Sequence, residues 1–409
     1  MLFLAYRAVN EGSFAMIRPR ISVIFGMGFR PFFTLATGFA VIAIVLWMAM
    51  LSGHWQHSGP LSQVDWHVHE MLFGYTSAVL TGFLLTAVPN WTGLPPIKGW
   101  PLGLGAAHWI AGRLVMLGLW ELPDLIVMVI DTSFLAVVSV SVAIQLIVSG
   151  NWRNLVVIGL VGLLLIADVA FHIEVMSFGI ADYSRRAGFA VILMLIILIG
   201  GRIIPSFTRN WLVKQKATSL PAPFGRIDIL TLAVSFVALA MWVAQSNPRA
   251  TAVALGLASM CHLIRLLGWK PLRVRRSAIL LMLHAAYLCL PVGLILLALA
   301  TRDPGLSLAS GLHILGMGAI GGMTAAVMMR ASLGHTGRRL AAGPILTVAI
   351  TLIFGAALIR AALPFATLAG LTGVQFASCL WIVGFGLICM RMWPWLLGLA
   401  PASFPGSAE

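Results

Sequence analysis

From residue 32 to residue 395 the sequence is a succession of apolar runs, each long enough to cross a bilayer core at ~1.5 Å per residue. They fall at roughly 32–51, 67–89, 102–120, 125–148, 153–174, 186–204, 227–244, 249–267, 277–300, 308–330, 343–362 and 374–395. A soluble domain carries ~25% charged residues, whereas this chain has 9% charged and 60% hydrophobic residues. The runs therefore predict an all-α polytopic membrane bundle of twelve helices, one domain over 31–400. A cytoplasmic segment, 1–30, precedes it and a cytoplasmic tail, 401–409, follows. Residues 1–15 are unlike the rest, and Met16, ahead of Ile17-Arg18-Pro19-Arg20, is read as an alternative start.

The formal charge of +14 does not point to nucleic acid, because the basic residues lie between apolar runs. Placing them on the connections puts twenty Lys and Arg on the side of the N-terminus and five on the other, with Arg113 inside a run. The excess of positive charge predicts cytoplasmic termini. Cys261, Cys289, Cys379 and Cys389 all lie in apolar runs without CxxC or CxxCH spacing, so disulfides and covalent haem are not expected.

One stretch, 65–93, carries most of the chemistry. His67, His69 and Glu70 stand where it enters the membrane, and imidazoles and a carboxylate there are costly unless something uses them. Asp65 is expected to cap the helix, and Pro89 with Gly93 to end it. His67 and His69 are two apart, so on a regular helix they point ~200° away from each other. They either meet one ion at a loosened helix end or serve different sites. The stretch from His69 to Gly93 aligns without a gap on His313 to Gly337, matching His69/His313, Gly74/Gly318, Thr92/Thr336 and Gly93/Gly337. A weaker third copy ends the run at 186–204, which suggests a faint repeat of four helices. His69 and His313 then lie at one depth, ~6–8 Å in from the outer boundary.

Other groups join them as candidates. His172 follows Asp168 by one turn, so the pair shares a face and can hydrogen-bond, the arrangement that often orients a metal-ligating imidazole. On the inner side His284 and His335 are candidates for a second site. Arg202, Arg209 and Arg330, at inner helix ends, suit a propionate or another anion. Arg113 must find a partner inside the bundle. No phosphate loop, nucleophile elbow or paired-acid hydrolase pattern occurs in an interpretable context.

Phe29-Arg30-Pro31-Phe32-Phe33, Trp66-His67-Val68-His69-Glu70-Met71 and Ala87-Val88-Pro89-Asn90-Trp91-Thr92-Gly93 resemble the NnrS family. So do the stretches Gly200 to Asn210 and Met329 to Arg338, and the similarity covers about 20–400. The resemblance implies a bacterial inner-membrane protein that contains haem and copper and is associated with denitrification and nitric oxide stress. The haem is then expected to be b-type and non-covalent. Nitric oxide or a related small molecule is the expected partner, within membrane lipid; the electron donor is not specified. By analogy with the twelve-helix haem–copper oxidases, where histidines of the second and tenth helices share a haem, His69 and His313 would share one here. His67, Glu70 and His172 would then serve a neighbouring copper. The competing reading is a transporter of copper or another small solute.

Overall fold

Each apolar run becomes a helix. The computed structural model describes residues 21–399 apart from Pro304. Met16, Arg7, Arg18, Arg20 and the tail 401–409 lie outside the described residues. After a short turn of helix at Ile21–Ile24, the long helices are α1 (Phe29–Leu51), α2 (Gln63–Thr92), α3 (Trp100–Met116), α4 (Asp124–Val148), α5 (Leu155–Phe178) and α6 (Tyr183–Lys214). Then come α7 (Arg226–Val243), α8 (Pro248–Gly268), α9 (Ala278–Arg302), α10 (Leu308–His335), α11 (Gly343–Ala362) and α12 (Gly373–Leu396). Eleven are long and apolar enough to cross a membrane, and α3, at 17 residues, is the short one. The only strands among the described residues are a hairpin of two residues on each side, Thr367–Leu368 with Leu371–Thr372.

The boundaries differ from expectation where backbone chemistry decides them. Helix α3 stops at Met116 because Gly118 takes a φ of 70° and turns the chain onto the loop before α2. Helix α6 continues to Lys214 through Pro205, its polar end carrying Arg209 and Lys214 beyond the apolar run. At the start of α2 the cap is Ser62, whose hydroxyl accepts from the Asp65 N–H at 3.1 Å and donates to its carboxylate at 2.8 Å. Asp65 therefore supports the cap rather than forming it. Gly93 ends α2 as expected, with φ 73°, and Gly337 follows α10 with φ 70°. A side chain is strained in that left-handed region. Gly93→Ala and Gly337→Ala should each lower stability by about 1 kcal/mol, read as a lower melting temperature in detergent.

Burial sorts the helices into a centre and a rim. In the most apolar window, 83% of α2 and 72% of α10 are buried, against 33% of α12. Helix α6 packs against both central helices, while α12 returns to pack on α1 and closes the rim. Two central helices are not regular: α2 is a π-helix over Glu70–Tyr75 and α10 over Ile314–Gly321. Both π segments begin one residue after the aligned histidines, His69 and His313.

Candidate metal centre

The π turn in α2 sets the site. A wider turn after His69 places Glu70 and Gly74 against α3, while His69 faces α4 and α5. Six ionisable side chains meet there, and all are buried: His69, Glu70, Arg113, Asp131, Asp168 and His172. His69 Nε2 lies 3.0 Å from Asp168 Oδ1 and 3.0 Å from Asp131 Oδ2, and its Nδ1 lies 3.2 Å from Glu70 Oε1. His172 Nε2 donates to the same Asp131 Oδ2 at 3.0 Å. Arg113 donates to Glu70 Oε1 at 2.7 Å and to Asp131 Oδ1. Glu70 Oε2 and Arg113 Nε are buried without a hydrogen-bond partner.

One glycine makes room for this. A Cβ at Gly74 would stand 2.5 Å from Arg113 Nη1 and 2.8 Å from Glu70 Oε2, so any other residue would push the ion pair apart. Phe73 and Phe171 close the apolar side, their rings 5.2 and 5.3 Å from that of His69.

Chemically the group is unbalanced. Three carboxylates against one guanidinium leave two negative charges for the imidazoles or a bound cation to balance, deep in a bundle where an uncompensated charge is costly. Either a divalent cation or two added protons balances them. One ligand atom each from His69, Asp131, Asp168 and His172 lies within 4.8 Å of the other three. That spacing suits a cation bound at ~2.0–2.2 Å by imidazole and carboxylate.

Among the residues expected from sequence, His69, Glu70 and His172 come together here, and Arg113 finds its partners. Asp168 and His172 share a face as expected, but their bonds cross to other helices: His172 goes to Asp131 and Asp168 to His69. His67 points to the other side of α2, as the ~200° separation requires. Its ring stacks on Trp47, centroids 4.6 Å apart and planes at 17°. It interacts electrostatically with His313 and Arg360. His313 donates from Nδ1 to Ala309 O at 2.7 Å, which leaves Nε2 uncommitted. Both ring nitrogens of His69 already face carboxylates, so of the two histidines at the start of α2 it is His67 that interacts with His313.

The inner candidates stay apart. His284 bonds its own backbone at Leu280 O, 2.8 Å away, and reaches Thr208 Oγ1 at 3.5 Å. His335 is exposed, its ring 5.5 Å from Phe29. Arg202 donates to Asn154 at 3.1 Å, Arg330 lies 3.4 Å above the Phe207 ring, and Arg209 is exposed. No contact joins His284 to His335 among the described residues.

Two groups went unread. Asp131 is the centre of the metal group; its signal was a carboxylate inside an apolar run, which by itself marks function. The second is an inner network in which Arg265 donates to Asp228 at 2.7 Å and to Tyr287 at 3.0 Å, with Tyr287 2.8 Å from His262 Nδ1. Arg265 was counted only as a loop charge, yet it is buried.

A helical membrane bundle that gathers two imidazoles and three carboxylates around one buried point is a polytopic membrane protein with a candidate metal centre. The chain belongs to the NnrS family: the sequence model of that family, described as NnrS protein, matches residues 23–399. No curated protein matches the chain.

Proposed function

We propose that this is a haem- and copper-binding protein of the bacterial inner membrane, with both termini cytoplasmic, acting in nitric oxide metabolism or in protection from nitrosative stress. The observation that carries the reading is the His69–Asp131–Asp168–His172 group, which offers four buried ligand atoms within 4.8 Å of one another. Imidazole with carboxylate suits copper in its divalent state. His69, Asp131, Asp168 and His172 would hold it, with Glu70 and Arg113 orienting them from α2 and α3.

For haem, the residues that fit are His67 and His313. His67 Nδ1 is buried without a partner, and His313 keeps Nε2 uncommitted by its bond to Ala309. Arg360, close to both, supplies a cation for a propionate. When bound, haem iron and copper supply nitric oxide binding and one-electron exchange. The chain's own part is to hold the ligands, to keep water out with Phe73 and Phe171, and to balance charge with Arg113. Nitric oxide is neutral and lipid-soluble, so it needs no charged channel to reach the site. The distribution of Lys and Arg supports the orientation.

Metal analysis and the absorbance spectrum of purified protein test this. His69→Ala and His172→Ala should lower copper affinity by at least the ~10–100-fold that loss of even an outer partner costs, with the haem band kept. His67→Ala and His313→Ala should lose the same haem component, with copper kept. Protein carrying neither haem nor copper would leave transport of copper or another small solute as the better reading.

A further inference from the structure

Helices α2, α6 and α10 meet around an apolar cavity of about 70 Å³. They are related in sequence as well as in space. The aligned histidines of α2 and α10, the starts of their π segments, the positive-φ glycines Gly93 and Gly337, and the positive-φ glycines Gly99 and Gly343 are all 244 positions apart. Helix α6 joins at an offset of 116, which superposes Pro89 on Pro205. At these two offsets the lining residues fall into equivalent sets, Val79 with Leu195 and Met323, and Phe83 with Ile199 and Val327. The cavity is therefore lined by the same face of each copy.

Its chemistry is dry. The polar residues in the lining are Thr76 and Thr324, and both hydroxyls are committed to backbone oxygens, Met71 O at 3.0 Å and Ile320 O at 2.7 Å. A buried water needs two to four polar partners, and apolar cavities without them stay empty of water and take up xenon. A volume of about 70 Å³ exceeds what one water needs, so a diatomic molecule fits. The inner end, at Phe83, Ile199 and Ile203, is partly exposed and faces where lipid lies. The outer end, at Thr76, is about one turn from Phe73 on α2, whose ring lies 5.2 Å from that of His69. The Phe73 ring rests on bare backbone, because a Cβ at Gly188 would come within 2.5 Å of it.

We propose that this cavity is a docking site for a small apolar gas of diatomic size, filled from the lipid and leading past Phe73 to the carboxylate–histidine group. That the gas is nitric oxide rests on the function proposed above; the docking site does not. Xenon is the probe. Purified protein pressurised with xenon should take up one atom between Val79, Leu195 and Met323, seen in a crystal or by xenon magnetic resonance. Val79→Phe should abolish that uptake. Gly200→Ala, whose new methyl would stand 3.8 Å from Met323 and Tyr287 without a clash, should weaken it in protein that folds normally. Absence of xenon from the wild type, an ordered acyl tail in its place, or unchanged uptake in both variants would overturn the proposal. Xenon bound in a protein that holds no metal would sink the proposed function and leave the docking site standing.

Discussion

Asp131→Ala should empty the metal site and lower stability by about 3–5 kcal/mol, the cost of stranding a buried charge by removing its partner. One oxygen of this carboxylate accepts from both His69 and His172, and the other from Arg113. Its removal takes away the acceptor shared by His69, His172 and Arg113, and leaves the guanidinium hydrogen-bonded to Glu70 alone. Asp131→Asn keeps the volume and one acceptor, so it should lose the metal with a smaller fall in stability. Metal content and thermal unfolding in detergent, measured on both variants, separate the two effects. Full metal occupancy in Asp131→Ala would remove Asp131 from the centre.

Gly201→Val should be equally damaging through a different site. The Arg265 guanidinium lies directly on the backbone of Gly201, where a Cβ has no room. Displacing it breaks the bond to Asp228 and the bonds to Ile197 O, 3.1 Å, and to Tyr287. Tyr287 then loses the donor that leaves its own proton free for His262. The expected cost is again about 3–5 kcal/mol, since Asp228 is left buried and unpaired. Gly201→Ala should fall between this variant and the wild type. Wild-type melting of Gly201→Val would mean that Arg265 has another place to go.

The long helices were legible because a bilayer imposes one simple demand, an apolar run of sufficient length, and every helix but α3 meets it. The divergence of His67 and His69 was legible for the same kind of reason: two residues on a helix separate by a fixed angle. The assembly of the metal group was not. Asp131 lies more than forty positions from either end of its contacts in α2 and α5, and no local period links it to them. The repeat gave His69 and His313 one depth, but depth alone does not say which side of α2 faces α10. That choice belongs to the π turn, which has no signature in residue type. The inner pair is not brought together, for a related reason. His284 and His335 share a side of the membrane, but His284 is spent on its own helix and His335 sits at the exposed end of another.

The π segments of α2 and α10 also make these helices sensitive to length in a way their neighbours are not. A π segment holds more residues per turn than the α-helix on either side of it, so it acts as a phase shift between two halves of one rod. Deleting a single residue within Glu70–Tyr75 would let that stretch relax to α-helix, and everything before it would rotate by ~100° about the axis relative to everything after. The rotation would carry His67 and His69 off both of their faces at once, while the cavity-facing residues beyond Thr76 stayed in register. Inserting a residue in the loop before α2 would do neither. In this fold the angular setting of two histidines is stored in the count of residues inside a helix.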